Sequence, residues 1–379
     1  MGPLAGTKVV ELTGLGPAPF CAMMLGDMGA DVVRIDRIGG HPSTVDARKN
    51  ILDRSRRSVG INLKSAAGVD TALRLIEHAD ALVEGFRPGV MERLGLGPDV
   101  CLEKNPSLVY GRVTGWGQFG PLAQSAGHDI NYLGLTGALS AIGSLVSGPV
   151  PPLNIVADFG AGGMLLTNGI LAGLLQAKTT GIGQIVDAAM TDGVPLLMGT
   201  AHTLRANGRW EEGTYNNLVD GGAYFYTTYE CADGRWIAVG AIEPQFHRLL
   251  LDKLGLTEAP EFQDPSDSAN WPAAKARLAK VFQSRDRSHW EELLGNTDAC
   301  FAPVLTMADA PEHPHNIARE TFIEVGGVVQ AAPAPRFSKT PSARPTASPL
   351  PGEHNQEALL DWGFSQEEVS QLLSDSIVG

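Results

Sequence analysis

Val9-Val10-Glu11-Leu12-Thr13-Gly14-Leu15-Gly16-Pro17, followed after one apolar stretch by Asp31-Val32-Val33-Arg34-Ile35-Asp36, is the part of the chain whose reading decides the fold. Two short β-branched runs flank a segment that carries Met23, Met24 and Leu25 and stops at Gly29, the pattern of strand, helix and strand. That βαβ arrangement predicts an α/β fold with a parallel sheet and helices on its faces. The Gly14-Leu15-Gly16 turn and the acid at Asp36 imitate a dinucleotide fingerprint, but Pro19 stands where the third glycine belongs, so a nicotinamide cofactor is a weak reading.

Outward from this unit, residues 58–63, 81–84 and 108–113 read as strands, and 65–78 as a helix with Val69, Ala72, Leu73, Leu75 and Ile76 on one stripe. The glycine-rich 114–121 is a loop. Arg37, Arg56, Arg57, Lys64 and Arg87 fall at or near strand ends, where open α/β sheets bind ligands. A solvated surface is the ordinary fate of such cations. Clustered in an otherwise acidic chain, they point to a phosphate-bearing ligand.

The chain has 379 residues, enough for two domains, and a net charge of −13, which argues against a general nucleic-acid or anionic-membrane partner. A small molecule is the expected partner. Cys21, Cys101, Cys231 and Cys300 are scattered without the spacing of a zinc site, so no metal is expected and the thiols read as reduced. The first residues lack a charged region followed by a long apolar one, no uninterrupted apolar run reaches transmembrane length, and the last residues are not Ser-Lys-Leu. A cytoplasmic location is the expectation.

Residues 125–163 carry two titratable groups at glycine-rich starts of apolar runs: His128 in Gly127-His128-Asp129 and Asp158 in Asp158-Phe159-Gly160. Unpaired helix N–H groups at such positions favour a neutral imidazole and an ionised carboxylate unless burial opposes them. A base and an acid at neighbouring helix starts make a proton-transfer pair. The plain alternatives are a satisfied core histidine and an aspartate that caps a helix over 162–176. The Asp-Phe-Gly tripeptide has no kinase catalytic loop before it, so that reading is discarded.

Residues 184–190 read as a strand or a helix start and 194–206 as a helix, with a polar linker over 209–222. A second domain then opens at Ala223 with strands over 224–231 and 236–240, joined through Asp233-Gly234, a strong hairpin turn. Glu243 precedes Pro244 at a helix start, where a dipole-favoured acid is the plain reading. Residues 330–352 are proline-rich and extended, and Ser365-Gln366-Glu367-Glu368 is a capping box that starts a last helix.

Residues 9–36, Glu84-Gly85-Phe86-Arg87-Pro88-Gly89, Thr114-Gly115-Trp116-Gly117-Gln118, Gly127-His128-Asp129, Val186-Asp187-Ala188-Ala189-Met190 and Pro351-Gly352-Glu353-His354-Asn355 occur in the order found in the family III coenzyme A transferases. The chain resembles that family over nearly its whole length, and within it the members that epimerise 2-methylacyl-CoA thioesters. The resemblance implies a Rossmann-like large domain (1–208), a linker (209–222), a smaller α+β domain (223–329) and a C-terminal segment (330–379) that returns to the large domain. It also implies an interlocked homodimer whose active sites lie between the large domain of one subunit and the small domain of the other.

Carried over by position, His128 and Asp158 are implied as the two catalytic bases and Glu243 as a supporting carboxylate. Arg37, Arg56, Arg57, Lys64, Arg87, Asp129 and Tyr132 are implied in the region that binds the coenzyme, which is part of the substrate, so no separate cofactor is expected. The competing activity within the family is coenzyme A transfer between carboxylic acids, with Asp158 as nucleophile. His128 and Glu243 discriminate, because transfer needs no partner base. A non-catalytic acyl-CoA carrier is the reading from another class; it leaves the three titratable residues without a purpose.

Overall fold

The runs that open the chain become β1 (Lys8–Leu12) and β2 (Asp31–Asp36), joined by α1 (Pro17–Asp27). The structure, a computed structural model, describes residues 2–40 and 45–379. Next come β3 (Arg57–Gly60), α2 (Ala66–Glu77), β4 (Ala81–Glu84) and β5 (Val109–Thr114). After α3 (Asp129–Leu135), a π-helical stretch, Ile155–Met164, runs directly into α4 (Leu165–Thr180), and β6 (Gln184–Ala189) leads into α5 (Met190–Leu197).

The six strands pair in parallel in the order β3-β2-β1-β4-β5-β6. Their near-continuous apolar runs follow from burial on both faces. On one face Ala72, Leu75 and Ile76 of α2 form a single apolar cluster with Val10, Ile35 and Leu82 of the sheet and with Leu359 and Trp362 near the C-terminus. Each fully buried leucine or isoleucine there contributes roughly 1.5–3 kcal/mol relative to exposure. On the other face α4 sits so close that a Cβ on Gly111 would lie 2.8 Å from Ile170. The strand order reverses between β1 and β4, so the loops after them diverge and leave a crevice at the strands' C-terminal ends.

Two compact units emerge: Met1–Thr136, Leu153–Leu197 and Glu320–Gly379 form one, and Gly137–Pro152 with Met198–Arg319 the other. These bounds differ from those drawn on the sequence. Residues 209–222 belong to the smaller unit and are tied internally rather than serving as a linker: the Asp220 carboxylate accepts the N–H groups of Asn216, Asn217 and Gly222. The smaller unit has a three-stranded antiparallel sheet, with Trp236–Gly240 between Tyr226–Glu230 and Phe301–Val304, over a core that includes Tyr224, Phe262, Phe282 and Trp290. The Asp233-Gly234 turn forms as expected, with Gly234 at φ 72°.

The helix expected over 162–176 starts earlier. The π-helical stretch and α4 make one continuous helix, Ile155–Thr180, long and apolar enough by length and composition to cross a membrane, which the separate runs did not foretell. Its Leu166, Ile170 and Leu174 are buried, and it carries Asp158 and Lys178. The glycines at its start serve close packing: a Cβ on Gly163 would lie 2.7 Å from Phe20 of α1. Wide helical turns of this kind recur at functional sites.

Candidate active site

At the crevice, the loops after β1, β4 and β5 enclose a cleft of about 440 Å3. Gly16, Phe86, Arg87, Trp116, Tyr132 and Met190 line it together with His128 and Asp158. Its floor is two aromatic rings, Trp116 and Tyr132, edge to face at 4.7 Å. Glycines admit them, since a Cβ on Gly115 would fall on the Tyr132 ring and one on Gly127 would lie 2.9 Å from Trp116.

His128 is the N-cap residue of α3, where its N–H donates to Asn131 Oδ1 at 3.0 Å. Its side chain is exposed, which removes the core-histidine reading. Asp158, in the first turn of the π-helical stretch, is half-buried, and its Oδ2 accepts from Asn154 Nδ2 at 3.3 Å. The sequence reading missed Asn154; its signal was the spacing of four residues, which puts both side chains on one helix face.

Asp158 does not cap the helix. That role falls to Asp129, whose Oδ2 accepts the N–H groups of Ala157 at 2.7 Å and Asp158 at 2.9 Å. The Asp129 side chain is thus buried and committed internally, a correction to its expected place against the coenzyme. What it leaves for a ligand is its backbone N–H in the first turn of α3, one of the groups a helix cannot pair within itself. At Asp158 burial opposes the helix dipole, the exception attached to the expectation of an ionised carboxylate. Burial is the largest influence on the Asp158 carboxyl and pushes its pKa up; the Asn154 hydrogen bond pulls it down, Asp129 pushes it up and His128 pulls it down, with a net rise. Burial, and then the Asp158 charge, also push up the Tyr132 hydroxyl.

The five cations separate into two groups. Arg56 is buried, paired through Nε with Glu11 Oε2 at 2.7 Å, and donates to the carbonyls of Leu52 and Pro19. Arg57, at the start of β3, bridges Asp31 at 2.5 Å and Asp361 at 2.6 Å. Neither is free for a phosphate, which corrects the expectation for both: Arg56 would have to leave Glu11 as an uncompensated buried charge, and the two carboxylates already on Arg57 would repel an anion. Arg37, Lys64 and Arg87 are exposed. Arg87 lines the cleft, while Arg37 and Lys64 line a second, largely apolar cavity of about 620 Å3 with Leu12, Ile35, Ile61 and Phe86. Phe86 lines both cavities, so they adjoin.

Glu243 lies in the smaller unit, exposed, as the N-cap of the helix Pro244–Leu254, and no N–H of that helix holds its side chain. Among the described residues its carboxylate has no hydrogen-bond or ion-pair partner, unlike that of an acid serving the helix start. Pro17 and Pro19 take the first and third positions of α1 and remove N–H donors that a pyrophosphate would need there, which disposes of the dinucleotide reading. Among the described residues no three His, Cys, Asp or Glu side chains gather as a metal-binding group.

The profile of CoA-transferase family III matches residues 4–355. This chain belongs to that family. Its similarity to two α-methylacyl-CoA racemases is extensive within CoA-transferase family III: 46% identity to the protein of Mus musculus and 44% to that of Homo sapiens, each over 99% of this chain and 97% of the relative. The fold of a CaiB/BaiF family protein from Brucella suis superimposes with a TM-score of 0.82 at 25% identity, covering 95% of this chain and 99% of that one.

Proposed function

We propose that the chain epimerises 2-methylacyl-CoA thioesters by transferring a proton at carbon 2 between His128 and Asp158. The observation that carries this reading is that an exposed imidazole and a carboxyl with a raised pKa line the same cleft. Inverting such a centre means removing its proton on one face and returning one on the other, with a planar enolate between. One base must start empty and its partner loaded. For one stereoisomer the neutral His128 takes the carbon-2 proton, the electron pair moves onto the thioester oxygen, and protonated Asp158 delivers its proton to the opposite face. For the other stereoisomer the roles exchange.

The raised Asp158 supports this chemistry, because a carboxyl that stays protonated longer is a better-matched donor to carbon. The enolate oxygen needs hydrogen-bond donors, and the first-turn N–H groups of α3 at Asp129 and Ile130 are suited to supply them. Each such donor is commonly worth roughly 3–4 kcal/mol of barrier. Arg37, Lys64 and Arg87 would hold the coenzyme's phosphates and the cavity beside Phe86 its adenine. In a homodimer, Glu243 of the partner subunit would orient His128 and stabilise its imidazolium by a charge-assisted hydrogen bond.

Incubating a single stereoisomer of a 2-methylacyl-CoA in heavy water, with no acceptor acid, tests the proposal. Epimerisation gives inversion together with deuterium at carbon 2. A thioester recovered unchanged, and consumed only when a carboxylic acid is added, would instead assign coenzyme A transfer through an Asp158 anhydride.

A further inference from the structure

Asp129 directly follows His128 in the chain, yet both of its hydrogen bonds go to the helix that carries Asp158. We propose that Asp129 is a positioning residue for the proton transfer: its buried carboxylate fastens the first turn of Ile155–Met164 to the start of α3 and thereby sets the two bases at a fixed separation. This inference rests on the epimerase reading above.

Four observations support it. One oxygen, Oδ2, accepts both the Ala157 and the Asp158 N–H, at 2.7 and 2.9 Å, so the clamp holds the backbone of Asp158 itself. The residue is 4% exposed, which keeps water from competing for those bonds. Among the described residues its second oxygen, Oδ1, has no hydrogen-bond partner although it is buried, an arrangement that costs stability and calls for a reason beyond capping. Asn or Ser at this point would satisfy the same N–H groups with no charge. The carboxylate adds a negative charge beside Asp158, and that charge opposes loss of the Asp158 proton.

The titratable or charged groups on the elements packed against this helix are Asp129 and Tyr132 on α3, with His128 at its start, Asp192 on α5, Cys21 and Asp27 on α1, Tyr110 and Arg112 on β5, Asp187 on β6 and Lys178 on α4. Of these, Asp129 and His128 are the ones that act on the Asp158 carboxyl. Asp129 therefore does two things at once: it fixes where Asp158 stands and helps keep it loaded.

The two contributions separate by substitution. In Asp129→Asn the amide oxygen can take the place of Oδ2 and keep both N–H bonds while the charge is lost; in Asp129→Ala both are lost. Both variants are compared with the unaltered full-length protein by the pH profile of carbon-2 exchange in heavy water and by 13C NMR titration of Asp158 in aspartate-labelled protein. For Asp129→Asn we expect Asp158 to titrate at lower pH, and the limb of the profile that reports it to move the same way, because a neighbouring negative charge has been removed. For Asp129→Ala we expect the same movement and a further loss of kcat of about tenfold or more. Should Asp129→Ala fail to fold, Asp129→Asn alone decides.

An Asp158 titration and a profile that stay in place in Asp129→Asn would overturn the inference, as would wild-type kcat in a folded Asp129→Ala. The NMR titration needs no turnover. If the unaltered protein shows no exchange at all, the epimerase reading fails while the coupling of Asp129 to Asp158 is still measured.

Discussion

Two acid–base groupings lie in the same unit and behave in opposite ways. Around β1 and β3, Glu11 and Arg56 are both fully buried and paired, with Arg34 joined to Asp36 and Asp53 nearby, so each charge in the group has a partner. In the cleft, His128 is exposed and Asp158 is half-buried with one long hydrogen bond from Asn154. Every carboxylate of the first grouping has a guanidinium partner, and among the described residues the Asp158 carboxyl has none. A buried charge whose partners are complete has no capacity left for a ligand, whereas a carboxyl left partly desolvated and weakly paired is held in readiness to change its protonation state.

The widest test of that contrast is to disable the cleft. Asp158→Asn or His128→Ala should lower epimerisation by about 10³-fold with little change in the thermal midpoint, measured by the heavy-water assay beside a melting curve. If both variants unfold instead, the pair is structural and the contrast collapses. Breaking the first grouping should do the reverse. Arg56→Met strands Glu11 in the core and should cost about 3 kcal/mol or more of stability in a denaturant titration.

Glu84 sharpens the picture because it is an intermediate case, buried and paired with Arg112 yet held up at about 7 from an ordinary 4.5, chiefly by burial. The folded protein therefore favours its protonated form. The stability this contributes is fully present below pH 4.5 and is lost as pH rises toward 7. Measured against Glu84→Gln, the unaltered protein should lose stability across that window; a flat difference would show that Arg112 compensates the charge completely. The smallest effect concerns the two sets of cations. Arg37→Ala or Lys64→Ala should raise KM for the thioester about tenfold at unchanged kcat, as loss of a charge-assisted contact made equally in ground and transition states does. Arg57→Ala should leave KM unchanged, since its partners are Asp31 and Asp361.

The sheet was legible because its signals are local. Val9-Val10, Val32-Val33 and Leu82-Val83 are apolar runs bounded by glycine and proline turns, and each became a buried strand at the expected place. Ser365 and Glu368 formed the capping box read from their spacing. The π-helical stretch escaped notice because Gly160, Gly162 and Gly163 carry the same letters whether they loosen a loop or let two helices touch, and the neighbours that decide, Pro17, Phe20 and Met190, lie elsewhere in the chain.

From the sequence alone came an α/β fold with a parallel sheet and a resemblance to CoA-transferase family III, which implies His128, Asp158 and Glu243 as site residues; those readings live in short-range pattern and motif order. Which charges are spent and which are free was decided only in three dimensions. Arg56 and Arg57 stand in sequence among the same cluster of cations as Arg37 and Lys64, and Asp129 stands beside His128. Glu11, Asp31, Asp361 and the N–H groups of Ala157 and Asp158 settle their fates, and those partners are brought to them by folding over 26 to 304 residues. Burial and pairing at such separations follow from packing, because a side chain's charge is stabilised by whatever the fold places next to it.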